Sequence, residues 1–295
     1  MDIRDFKKAD SRVVMELEDD SRTGGIPMLK FPLLNLAGIA EHGFTTREGG
    51  VSQGIFSSLN LSYTRGDEKA AVDENFHRAA VSLHAEISDF VLTDQTHTAN
   101  VRTVTRADCG KGITVNRDYT DTDGLVTNEP GIVLAAFFAD CVPLFFADPV
   151  RRAVGVSHSG WRGTIARMGR QTIRVMQEAY GSRPQDIICA IGPSVCQTCY
   201  EVSGDVAERF MEEFPGEGRK LCYPSAPGKF QLNLWKANEI VLRDAGILKE
   251  HLAVTNICTC CNPGLLFSHR ATNGKRGNLG AFIKLKTESD KCRIS

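Results

Sequence analysis

Three residues able to bind a divalent transition metal stand at the ends of apolar, strand-like runs: His97 in DQTHTANV, Cys141 in FFADCVPLFFADP and His158 in VGVSHSGWRGT. Two neutral imidazoles and a thiolate suit zinc, and three protein ligands leave the fourth tetrahedral position open for water or substrate, the mark of a catalytic rather than a structural ion. A centre of that composition carries a net charge of about +1, enough to acidify a bound water toward neutral pH. The three residues lie far apart in the chain and match no compact zinc motif, so the spacing also admits a Cys141/His158 nucleophilic dyad with His97 as the orienting third group. Asp140, next to Cys141, is the acid expected to orient a ligand imidazole and to carry a proton.

The elements around these residues read as follows. Residues 131–138 (GIVLAAFF) and 142–147 (VPLFFA) are continuous apolar runs, the pattern of strands covered on both faces. An acid and a thiol interrupting so apolar a stretch are costly unless partnered, which points to function. Residues 153–157 predict another buried strand ending at His158. Residues 163–180 predict a helix capped by Gly181 and blocked by Pro184. HSGWRG then becomes a strand-to-helix turn, and its free N–H groups, with Arg162, predict an anion site. His97 falls in a turn between short strands at 90–92 and 101–105. An amphipathic helix with acids in its first turn is expected over 67–85, further strands near 29–36, 186–191, 252–257 and 280–285, and a helix N-capped by Asn233 ending near Gly246. Strands outnumber helices without strict alternation, so the fold class is α/β or α+β, a single domain of mixed β-sheets flanked by helices over residues 28–295. Residues 1–27 are expected to form a loosely held N-terminal arm.

Composition narrows the function. With 295 residues, 35 basic against 36 acidic and a net charge of -1, the chain has no field that would draw nucleic acid or an anionic membrane, and a small-molecule ligand is expected. Its apolar runs are far shorter than the roughly 20 residues of a membrane span. The first 27 residues lack the apolar stretch of a secretion signal, which predicts a cytoplasmic protein whose ten cysteines stay reduced or bind metal. Cys196 and Cys199, with Cys258, Cys260 and Cys261, could form a closed four-thiolate zinc site, but the favoured reading is small buried thiols beside turns. His84-Ala85-Glu86 followed by PSVCQTC imitates a cytidine-deaminase signature and fails it, because Pro193 is not adjacent to Cys196 and the histidine ends a helix instead of starting one. Seven histidines with no H-x-H pair are too few for multicopper chemistry, leaving copper a minor alternative to zinc.

Residues 41–62 (EHGFTTREGGVSQGIFSSLNLS), 121–149, 154–164, 190–202 (AIGPSVCQTCYEV) and 265–270 (LLFSHR) together resemble one family, the laccase-domain or multicopper polyphenol oxidoreductase family, also labelled peptidoglycan editing factor. The resemblance implies a single-domain α/β fold and a zinc held by residues matching His97, Cys141 and His158. It also implies a purine nucleoside phosphorylase that cleaves inosine, adenosine, guanosine and methylthioadenosine with phosphate, and that deaminates adenosine. On this reading Arg47 in TTREGG binds phosphate, Ser58 and Asn60 complete the anion or ribose contacts, and Arg162 is the second choice of cation. A cell-wall precursor editing role and a copper-dependent phenol oxidase are the alternatives.

Overall fold

A computed structural model describes residues 1–291. Two six-stranded sheets dominate it. The first runs in the order Glu16–Asp19, Pro27–Lys30, Ala40–Thr45, Leu279–Leu285, Val133–Phe138, Phe90–Leu92, antiparallel except for its last pair. The second runs Leu252–Val254, Ile188–Ile191, Val142–Asp148, Ala153–Ser159, Gly124–Thr127, Val101–Thr103, antiparallel in the middle and parallel at both edges. A small third sheet holds Glu201–Ser203, Lys229–Leu232 and Cys222–Ala226.

The two large sheets pack face to face, and their outer faces are covered by helices. Alternation along each strand makes this possible. In Val142–Asp148, Phe145 and Ala147 point between the sheets, while Val142, Leu144 and Phe146 lie under the helices Met168–Tyr180, Gly204–Glu213 and Leu234–Asp244. In Val133–Phe138, Leu134, Ala136 and Phe138 join the inter-sheet core, whereas Val133 and Ala135 meet Val72, Phe76 and Ala79 of the helix Lys69–Ser82. Strands apolar on both faces therefore read as unbroken apolar runs, and the mixed α/β class expected from sequence is the class observed.

Four local expectations are corrected. The strand expected at 29–36 stops at Lys30, and Pro32 opens the short helix Pro32–Leu36, where its missing N–H costs nothing. The helix expected at 163–180 is two helices, Trp161–Ile165 and Met168–Tyr180, broken at Arg167, whose φ is +56°. That break is held by Arg167's ion pairs to Glu213 at 2.6 Å and Asp244 at 3.0 Å. The helix in the 67–85 segment begins at Lys69, so Asp67 and Glu68 precede its first turn. The N-terminal 27 residues are not loosely held: Phe6 and Met15 are buried in the inter-sheet core, Lys7 exchanges hydrogen bonds with Asn262, and Glu16–Asp19 forms the edge of the first sheet. The caps at Asn233 and Gly181 form as expected. No helix among the described residues is long and apolar enough to cross a membrane.

Candidate metal centre

The chain passes from the first sheet to the second between Phe138 and Val142, and Ala139, Asp140 and Cys141 are the residues of that crossing. Asp140 takes a φ of +88°, which turns the backbone within one residue and leaves Cys141 at the end of the sandwich. His158 is the penultimate residue of Ala153–Ser159 and pairs in register with Pro143. His97 follows Phe90–Leu92, which runs parallel to Val133–Phe138, so its loop leaves the first sheet at the same end.

The ligand atoms of His97, Cys141 and His158 lie within 4.8 Å of one another. Zinc bonds of about 2.0 Å to nitrogen and 2.3 Å to sulfur at tetrahedral angles would place donors about 3.3–3.6 Å apart, so small side-chain rotations suffice to close on an ion. The two rings meet edge to face with centroids 4.9 Å apart. Gly160 makes room for the group: a Cβ there would stand 3.1 Å from Cys141 Sγ and 3.2 Å from His97 Cδ2.

Asp123, not Asp140, orients the imidazole. Its fully buried carboxylate accepts from His158 Nδ1 at 2.8 Å, which leaves Nε2 free as a ligand, and from the backbone N–H groups of Thr96, His97 and Thr98 at 3.0, 3.2 and 3.1 Å. One carboxylate thus fixes two of the three candidate ligands. Sequence reasoning missed it. The available signal was an acid in DTDG directly before the buried strand Gly124–Thr127. Asp140 is spent differently, with Oδ1 accepting from Thr259 Oγ1 at 2.6 Å and Oδ2 from the Arg270 N–H at 2.6 Å. It braces the crossing, and no hydrogen bond joins it to His97 or His158 among the described residues.

Electrostatics favour the ligating thiolate form of Cys141 and hold a proton on His158 opposite it. Burial raises the Cys141 thiol, but the charge and hydrogen bond of His158, then the hydrogen bond of His97, outweigh it and bring the thiol down to about 6. Burial lowers His158, and the Cys141 sulfur with the Asp123 carboxylate reverses this, so protonation is favoured. A divalent ion bound between them would displace that proton and take over its charge. A thiolate, two imidazoles, a carboxylate behind one ring and a glycine cradle form a donor set that fits zinc.

The expected substrate ligands are not brought to this centre. Arg47 donates Nε and Nη2 to the Ser57 carbonyl and Nη1 to that of Pro263, with its guanidinium 4.7 Å from the Phe267 ring centroid. Ser58 Oγ accepts from Gly50 N–H and donates to the Arg47 carbonyl, and buried Asn60 is saturated by Ser62, Asp67 and Asn278. These residues knit a loop together. Arg162 is exposed and stacks 4.5 Å over Trp161. None of the four lines the pocket of about 350 Å³ that opens on His97, Cys141 and His158.

Three other arginines do line it: Arg117, ion-paired at 2.8 Å with Asp94 of the same wall, and Arg65 and Arg276. Arg276 is 8 % exposed, bonds Asn278 and the Gly277 carbonyl through Nη1, and has no partner for Nε among the described residues. Burial and then the charge of Arg65 push it down to about 10. Arg117 is neutralised by Asp94, but neither Arg65 nor Arg276 is ion-paired with a carboxylate among the described residues, so the pocket holds a surplus of positive charge beside the metal candidates. Leu61, Leu92 and Phe137 supply an apolar wall.

Residues 41–286 match the family described as multi-copper polyphenol oxidoreductase laccase. The chain is 40% identical over 248 residues to the purine nucleoside phosphorylase YlmD of Bacillus subtilis, covering 83% of this chain and 88% of that one. It is 31% identical over 245 residues to the adenosine deaminase RL5 of an unknown prokaryotic organism, covering 82% and 93%. The crystal structure of YlmD from Geobacillus stearothermophilus superposes with a TM-score of 0.82 at 34% identity, covering 97% of this chain and all of that one.

Proposed function

Since the chain belongs to the multi-copper polyphenol oxidoreductase laccase family, we propose that it is a purine nucleoside phosphorylase with adenosine deaminase activity, working at a zinc ion held by His97, Cys141 and His158. The observation that carries this reading is the convergence of those three donors on the rim of a pocket that also holds two unpaired arginines. A zinc ion bound there supplies a Lewis acid that polarises oxygen and acidifies water.

The chain's own residues supply the rest. Arg276 and Arg65 attract phosphate into the pocket, and the Arg276 Nε is a donor awaiting an acceptor. Leu61, Leu92 and Phe137 offer a slot for a purine ring, and Ser62, Thr64 and Asn278 offer polar groups for ribose. Phosphorolysis needs the anion held against the sugar, and the buried Arg276 offers a cation already fixed in place for it. Asp123 keeps the His158 Nδ1 proton away from the reacting side throughout. The relatives' phosphorylase and deaminase names support purine nucleosides as substrates. The nine cysteines among the described residues are all free, which supports the cytoplasm as the working compartment.

The test is direct. Purified protein is incubated with inosine and adenosine, with and without phosphate, while hypoxanthine, adenine, ammonia and bound metal are measured. Cys141→Ala is expected to abolish both activities and leave the fold intact, and Arg276→Met to raise the phosphate KM about tenfold or more while deamination persists. Full phosphorylase turnover in Cys141→Ala, or copper with oxygen uptake on phenols in the wild type, would end this reading.

A further inference from the structure

Away from the pocket, two Cys-x-x-Cys pairs that are distant in sequence meet in space. Ser194 and Cys258 form a parallel bridge, the Thr259 N–H donates to the Ser194 carbonyl at 3.2 Å, and the sulfurs of Cys196, Cys199, Cys258 and Cys261 all lie within 4.8 Å of one another. We propose that these four thiolates hold a structural zinc ion, separate from the His97, Cys141 and His158 centre. This replaces the expectation that they are small buried thiols beside turns.

Geometry carries the assignment. A four-sulfur tetrahedron around zinc, with bonds of about 2.3 Å, has edges of about 3.8 Å. Cys199 and Cys261 place their sulfurs 3.5 Å apart, near that edge and well beyond a disulfide bond of about 2.05 Å. A backbone donor already faces one of the sulfurs. The Cys196 N–H donates to Cys258 Sγ at 3.2 Å. Such an N–H favours the thiolate form that a metal requires. Four thiols gathered this closely cannot all ionise without a cation between them, and a dication bound by four protein ligands has no open position, the condition for a structural ion. Cys260 sits in the same turn but outside the four-sulfur group.

The site has a mechanical link to the pocket. The Val195 N–H donates to the Asp140 carbonyl at 3.0 Å and Thr259 Oγ1 to Asp140 Oδ1 at 2.6 Å. Both zinc-bound turns thereby grip the crossing that presents Cys141. The four cysteines would act as positioning residues for that ligand, at a distance.

The experiment reads metal, not turnover. By elemental analysis, Cys141→Ala is expected to retain about one zinc ion per chain after dialysis, and Cys141→Ala combined with Cys258→Ser none, while Cys260→Ser keeps the wild-type content. Cobalt(II) exchanged into Cys141→Ala should give the intense visible bands of tetrahedral thiolate coordination. Cys141→Ala lacks the first centre, so its result is independent of whether that centre binds zinc. It also decides the matter without Cys258→Ser, should that variant fail to fold. Absence of zinc and of cobalt–thiolate bands in Cys141→Ala, or a mass spectrum showing the four cysteines joined as disulfides in freshly purified protein, would overturn the assignment.

Discussion

Asp123 holds the ring of His158 on one side and the backbone of residues 96–98 on the other, so its charge serves two ligand candidates at once. Asp123→Asn keeps the shape and removes the charge, and is expected to weaken metal binding at the His97, Cys141 and His158 centre by about 10–100-fold in competition with a chelator. Unchanged affinity would mean that the carboxylate only packs. Arg47 illustrates the opposite case, a cation whose donors are already committed to carbonyls of Ser57 and Pro263. Arg47→Met should therefore leave the phosphate KM near the wild-type value while lowering stability by about 1 kcal/mol in urea unfolding, because the exposed hydrogen bonds that tie the loop to Ser57 and Pro263 are lost. The metal trio was legible in the sequence because histidine and cysteine at strand ends announce their chemistry by residue type. Asp123 and Arg276 were not, since their importance lies in what the fold places beside them.

At the scale of elements, the strand Ala40–Thr45 carries His42 into the inter-sheet core, where Nε2 accepts from the Phe31 N–H at 2.8 Å and Nδ1 has no partner among the described residues. Burial first, then the charges of Lys30 and Lys286, lower its pKa from 6.5 to about 3. Below pH 6.5 the unfolded chain therefore takes up a proton that the folded one refuses. The stability due to neutral His42 is complete above the ordinary histidine range and is lost as pH falls toward 3, at about 1.4 kcal/mol per pH unit. His42→Gln should flatten the fall in urea midpoint between pH 7 and pH 5 relative to wild type, and an equal slope in the two proteins would contradict this account. Strands of this fold were readable because apolar runs covered on both faces leave an unbroken signal. The interruption at Arg167 was not, because Glu213 and Asp244, remote in sequence, fix its backbone.

For the whole molecule, the packing of two sheets face to face is completed by the N-terminal segment. Phe6 is 4 % exposed in the same core as Phe44, Phe138 and Phe145. Phe6→Ala is expected to cost about 3 kcal/mol, read as a lower urea midpoint with the slope unchanged, whereas a loose arm would show no effect. Sequence by itself determined the class of fold, the buried strands, the candidate ligands His97, Cys141 and His158 and the family resemblance, since each of these is written in residue type and local period. Tertiary structure decided which groups share a site: that a crossing between sheets sets Cys141 against His158, that Asp123 rather than Asp140 backs the imidazole, that Arg65 and Arg276 rather than Arg47 face the pocket, and that two distant Cys-x-x-Cys turns close on one another. The physical reason is range. Propensity and hydrophobic period act over a few residues, while coordination, ion pairing and desolvation act over a few ångströms, whatever length of chain lies between.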